Sequence, residues 1–140
     1  MSNENTCMYC AKNENLHNLM IEICKLEKST LYLFKEQSYK GRCILAYDGH
    51  VNQLIELEDK DLEVYMKDVK RAALAIQKAF SPNKINYGAY SDKLPHLHIH
   101  LVPKYENAYS WGGTFEMNPQ KVYLNDEEYR NLIDVIKENL

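Results

Sequence analysis

The sequence predicts an α+β domain: an antiparallel sheet of about five strands, with one long helix and a C-terminal helix packed on it. Three observations carry that expectation. Short runs of β-forming residues with two-residue alternation fall in two groups along the chain. Between the groups, the apolar period changes to three and four residues. A second helical stripe closes the chain.

In order, residues 1–19 are polar apart from a C-x-x-C and single apolar side chains, and neither strand nor helix is evident there. Residues 20–26, with Ile21, Ile23 and Lys25 on one parity, read as a first strand. Residues 30–34 (Thr-Leu-Tyr-Leu-Phe) and 42–47, bounded by Gly41 and Asp48-Gly49, read as two more. Leu62, Tyr65, Met66, Val69, Ala73, Ile76 and Phe80 then form the stripe of one long amphipathic helix. Acidic Glu58, Asp59 and Asp61 suit its positive N-terminal end, and Ser81-Pro82 stops it. Alternation returns at 85–90 and 97–102. In the last helix Asn125 and Glu128 stand as a capping box, and Tyr129, Leu132, Ile133 and Ile136 make its apolar face. Hairpin-length connections favour antiparallel pairing.

A chain of 140 residues is expected to be a single domain, 1–140, with a segment 1–19, a core 20–105 and a C-terminal loop and helix 106–140. Its 45% apolar and 26% charged residues exclude a disordered or fibrous protein. No apolar run approaches the roughly 18 residues of a membrane span, and the N-terminus lacks a signal-peptide layout. A net charge of -3 without a Lys/Arg run argues against nucleic acid as partner. Four cysteines without an export signal point to a reducing compartment, so the cytoplasm is expected. Cys24 and Cys43, in apolar surroundings, read as small buried hydrophobes.

The strongest chemical signal is Pro95-His96-Leu97-His98-Ile99-His100-Leu101-Val102-Pro103. On a strand, side chains at i, i+2 and i+4 share a face, so His96, His98 and His100 line one side while Leu97, Ile99 and Leu101 enter the core. Composition alone predicts about 0.006 such triplets in this chain. Three adjacent imidazoles lower one another's pKa. Against a plain row of solvated histidines stand two chemistries: metal ligation, and nucleophilic catalysis with one imidazole attacking while another handles charge. The triplet leaves both open.

The segment from His96 to Val102 resembles the signature of the histidine triad family of nucleotide hydrolases and transferases, His-φ-His-φ-His-φ-φ with φ hydrophobic, and Pro103-Lys104-Tyr105 continues it similarly. Upstream, 41–46, then His50-Val51 with Leu54 and Leu57, the long helix and Asn86 follow in the family's order, so the resemblance covers roughly residues 7–105. It implies that His98 attacks the α-phosphorus of a nucleotide conjugate, forming a nucleotidyl-histidine intermediate that water resolves. His100 would bind phosphate oxygens and assist the leaving group. The chain departs from the family pattern at Arg42, where many members carry histidine; an arginine binds phosphate but cannot shuttle a proton. The loop before the triplet is short, with Ser91 or Lys93 as substitute phosphate donors, and Glu36 is the nearest candidate for a ribose-binding acid.

Cys7-Met8-Tyr9-Cys10 supplies two thiolates at zinc-ligand spacing, which is half a site. The resemblance implies the rest: a zinc-binding branch of the family adds a histidine after the third strand and the first histidine of the triplet, here His50 and His96. Two Cys and two His close a tetrahedron, a structural zinc, one per chain. His17 competes as a ligand and reads better as a solvated residue. Trp111-Gly112-Gly113 either covers a base or anchors a turn. The family is commonly homodimeric through the long helix and adjoining strand. A metal hydrolase with catalytic zinc on the three histidines, and a nucleotide-binding module with little turnover, are the competing readings.

Overall fold

The structure is a computed structural model, and it describes residues 5–90, 92–119 and 121–140. The expected α+β class holds. Five strands form one antiparallel sheet in the order β1-β2-β3-β5-β4. They are β1 Met20–Lys25, β2 Ser29–Phe34, β3 Cys43–Tyr47, β4 Lys84–Gly88 and β5 His98–Lys104. Four helices accompany them: α1 Met8–Ala11, α2 Glu14–Leu19, α3 Asp59–Phe80 and α4 Asp126–Glu138. A short 3-10 turn, Leu54–Glu56, leads into α3. Among the described residues no helix is long and apolar enough to cross a membrane.

One face of the sheet carries the main core. Leu31, Leu33, Cys43, Leu45, Ile99 and Leu101 pack against Tyr65, Val69, Ala72, Ala75 and Ile76 of α3 and Tyr129 and Ile136 of α4. Each fully buried large apolar side chain here is worth roughly 1.5–3 kcal/mol. Helix α3 ends where expected: Ser81 takes a left-handed conformation and its N–H returns to the Gln77 carbonyl. Helix α4 begins with the expected reciprocal capping box of Asn125 and Glu128.

Four features differ from the sequence reading. The N-terminal segment forms α1 and α2, the latter capped by Asn13, and buries Cys7, Met8, Tyr9 and Leu16 on the second face of the sheet with Tyr32, Phe34, Ile44 and Ala46. The few apolar residues of that segment converge because α1 and α2 aim them at one surface. Alternation in β1 breaks at a bulge between Glu22 and Cys24, which lets Ile21 and Cys24 face Leu33 and Leu31 in turn. Strand β4 ends at Gly88, short of the expected 90. Strand β5 begins at His98 and runs through Pro103 to Lys104. Proline is tolerated there because β3 pairs with β5 only as far as Leu101.

Candidate active site and metal centre

With both faces of the sheet covered, the second face becomes a site. On β5, Ile99 and Leu101 enter the helix-side core. His98 and His100 point the other way, opposite Ala46 and Ile44 of β3. His96 lies two residues ahead of β5, not within a strand. The Tyr9 ring joins it to the others, 5.0 Å from the His96 ring and 5.3 Å from that of His98.

Each imidazole has one nitrogen assigned by a partner that can act in only one sense. His96 Nε2 donates to the Tyr47 carbonyl at 2.7 Å, so its Nδ1 is bare. His98 Nδ1 donates to the His96 carbonyl at 2.7 Å, so its Nε2 holds the lone pair. His100 Nδ1 faces the Arg42 guanidinium at 3.2 Å; a guanidinium only donates, so Nδ1 accepts and Nε2 carries the proton. Burial lowers the pKa of all three, and for His100 the Arg42 cation and His98 add to it, taking it down to about 3. At neutral pH the row is uncharged, and His98 and His100 sit side by side in opposite tautomers with rings 5.2 Å apart.

Both rings border a cavity of about 540 Å³. Its walls are largely apolar: Met8 and Tyr9 from α1, Phe34 from β2, Ile44 from β3, and Met117 beyond β5. Asp92, Lys93 and Asn118 bring polar groups to its rim. A smaller cavity of about 90 Å³ shares Leu19, Phe34, Met117 and Asn118 with it and adds Lys35, Glu36 and Lys121.

The sequence candidates divide accordingly. His98, His100 and Lys93 line the main cavity. Arg42 does not; it lies fully buried behind His100. Its guanidinium carbon sits 4.3 Å from the Phe34 ring centre and 5.2 Å from that of Phe115, and it donates to the Glu116 carbonyl at 3.2 Å. Glu36 lines only the smaller cavity, and its carboxylate accepts from Ser38 Oγ at 2.6 Å and the Val122 N–H at 2.6 Å. Asn86 pairs with Val102, two residues along from the Gly88–His100 pair, so it shares the histidine face but stands off the cavity wall. Ser91 lies outside the described residues. Trp111 is 40% exposed, which excludes a buried anchor, and it lines neither cavity. The sequence reading missed Met8, Tyr9, Phe34 and Met117 as walls. Tyr9 carried a signal, an aromatic held between two candidate ligands.

At the other end of the row, the bare Nδ1 of His96 lies 3.3 Å from Cys7 Sγ and 3.5 Å from Cys10 Sγ, and His50 Nδ1 lies 3.2 Å from Cys10 Sγ. All four donor atoms lie within 4.8 Å of one another. A tetrahedral zinc with ordinary bond lengths sets S···N edges of ~3.6 Å, so two sulfurs and two imidazole nitrogens at this spacing fit the ion. The His96 Nε2–H bond to Tyr47 is the outer contact that aims Nδ1 inward. His17 sits on α2 and is not part of this cluster.

Sheet, paired imidazoles and cavity define a protein of the histidine triad class. The HIT domain family matches residues 22–107. The fold is similar to that of a histidine triad (HIT) protein from Sinorhizobium meliloti 1021, with a TM-score of 0.84 and 25% identity over 91% of this chain and 95% of that one. It is also similar to a histidine triad protein from Bradyrhizobium japonicum, with a TM-score of 0.83 and 20% identity over 91% and 95% of the two chains. A Zn-bound histidine triad family protein from Mycobacterium smegmatis aligns with a TM-score of 0.68 and 18% identity over 97% and 96%. No curated protein sequence matches. The chain belongs to the HIT domain family.

Proposed function

We propose that this chain hydrolyses nucleotide conjugates through a nucleotidyl-histidine intermediate on His98. One observation carries the reading: the bare Nε2 of His98 borders a cavity of nucleotide size, beside an imidazole in the opposite tautomer. In the first step a bond forms between Nε2 and phosphorus while the bond from phosphorus to the leaving group breaks, its electron pair departing with that group. The ring then carries positive charge, which the His96 carbonyl on Nδ1–H stabilises. The Nε2–H of His100 donates to the phosphoryl oxygens as charge shifts onto them. Water next adds to phosphorus, Nε2 recovers its lone pair and the water's proton passes to solvent.

Cys7, Cys10, His50 and His96 would hold one structural zinc. A full Cys₂His₂ set leaves no open position for chemistry, and the Zn-bound relative supports the assignment. Ligation also requires reduced thiols, which favours a reducing compartment such as the cytoplasm. The apolar stripe of α3 beside edge strand β4 supports a homodimer: Met66, Leu74 and Tyr87 line an open groove of about 550 Å³ there. Leu74→Glu is expected to convert a dimer to a monomer in analytical ultracentrifugation; a wild-type monomer at high concentration sinks that part.

The test of the main reading is brief mixing with an acyl adenylate followed by intact-mass spectrometry. A transient nucleotidyl adduct and free AMP are expected from wild type and neither from His98→Ala, which should remain folded by circular dichroism. Unchanged turnover in the variant would refute the assignment.

A further inference from the structure

Arg42 is a buried cation with an unusual occupation. Among the described residues it forms no ion pair; Glu36 acts on it from beyond ion-pair distance. Burial pulls its pKa to about 10, so it remains charged at neutral pH. An unpaired buried charge is costly, and the fold retains it by setting the guanidinium near the Phe34 and Phe115 rings and giving it three acceptors: the Glu116 carbonyl, Met117 Sδ at 3.6 Å and His100 Nδ1. Position and partner are set by the turn before β3. Gly41 takes φ +92, and a side chain there would meet the Phe80 ring at 2.5 Å.

The consequence falls on His100. To pass a proton to a leaving group, a neutral imidazole must first be able to gain one. The nitrogen where that proton would be added, Nδ1, is already occupied by a donor that cannot lose its own proton. Giving up the Nε2 proton instead would make an imidazolate. The other groups that face His100 among the described residues do not relieve this. They are His98 on the same strand and Tyr90 from the loop after β4, with Phe34 and Phe115 uncharged beside them. Asp92 and Lys93 stand at the cavity rim.

Resting on the hydrolase reading above, we propose that Arg42 is a positioning residue that makes His100 a fixed hydrogen-bond donor and bars it from carrying a proton. This site therefore favours nucleotide conjugates whose leaving group departs as an anion. Acyl adenylates and dinucleoside polyphosphates release a carboxylate or a phosphate, and the electron pair of the broken bond stays on oxygen with no proton required. A phosphoramidate releases an amine, which must take up a proton as the P–N bond breaks, and His100, held by Arg42, is not arranged to deliver it.

The test compares kcat/KM of the full-length protein for an acyl adenylate, a dinucleoside polyphosphate and an alkyl phosphoramidate of AMP, from pH 5 to 8. General-acid assistance contributes roughly 10²–10⁴-fold, and wild type is expected to disfavour the phosphoramidate by that order, with no recovery as pH falls. In Arg42→Met the disadvantage should shrink below the ordinary imidazole pKa of about 6.5, and in Arg42→Lys it should return. Nitrogen-15 NMR of wild type should find His100 wholly in the Nε2–H form. A phosphoramidate cleaved as fast as the acyl adenylate, a wild-type preference that fades in acid, or His100 in the Nδ1–H form would each overturn the proposal. If no conjugate gives AMP or adduct, the hydrolase reading fails by itself. The NMR tautomer then decides the Arg42 clamp alone, Nε2–H upholding it and Nδ1–H refuting it.

Discussion

The imidazoles of this site show how a single hydrogen bond decides a residue's chemistry. His98 and His100 are two positions apart on one strand and equally buried, yet a backbone carbonyl on one Nδ1 and a guanidinium on the other give them opposite faces toward the cavity. The same burial has a thermodynamic signature. His100 resists protonation in the folded state down to about pH 3, while an unfolded histidine takes up its proton near 6.5. Between those values the unfolded chain binds the extra proton, so stability is fully present above about 6.5 and declines as pH falls. Urea melts of wild type should lose stability across this window, and His100→Gln should flatten the decline. An equal slope in the variant would place the acid sensitivity elsewhere. The identity of these residues was legible in the sequence; their tautomers were not, because Tyr47, His96 and Arg42 supply partners from the backbone and from another strand.

At the level of elements, each strand and the two long helices were legible because each carries its own period. What periodicity could not supply was how elements are tied together. Asp68, on the buried side of α3, accepts from the Lys28 N–H at 2.8 Å and Ser29 Oγ at 2.7 Å, and from the Glu27 N–H at 3.3 Å. It satisfies the turn between β1 and β2, where an aspartate in a helix would otherwise read as solvated surface. Asp68→Ala leaves the buried Ser29 hydroxyl and two part-buried backbone N–H groups without their acceptor and is expected to cost about 1–3 kcal/mol in denaturant melts, with nucleotide turnover per folded molecule unchanged. A loss below ~0.5 kcal/mol would mean that water replaces the carboxylate at little cost. Helices α1 and α2 escaped the sequence reading for a related reason. They are too short to show a stripe, and α1 stands on contacts with the sheet, where Tyr9 meets the His96 and His98 rings.

On the scale of the whole molecule, the Cys₂His₂ cluster and the cavity beside the histidine row share one wall. Cys7 and Cys10 flank Met8 and Tyr9, which line the cavity, so the ligands and the substrate wall are one turn of chain. Cys7→Ser is expected to lower zinc content from one ion per chain toward none, lower the melting temperature, and weaken nucleotide binding through loss of that wall. Wild-type protein that purifies without zinc, and whose melting temperature Cys7→Ser leaves unchanged, would remove the metal from the account. The class of fold, the antiparallel pairing within each strand group, the end of α3, the start of α4 and the identity of the histidine row and cysteine pair were all legible in the sequence alone. Each is encoded in local spacing, and backbone geometry converts spacing into a face. The tertiary structure alone decided that Arg42 serves His100 rather than the cavity, that Glu36 is bound to Ser38 and Val122, and that the N-terminal turn walls the site. Those outcomes depend on residues far apart in the chain competing for the same buried partners, and burial, which sets the winner, exists only once the chain has folded.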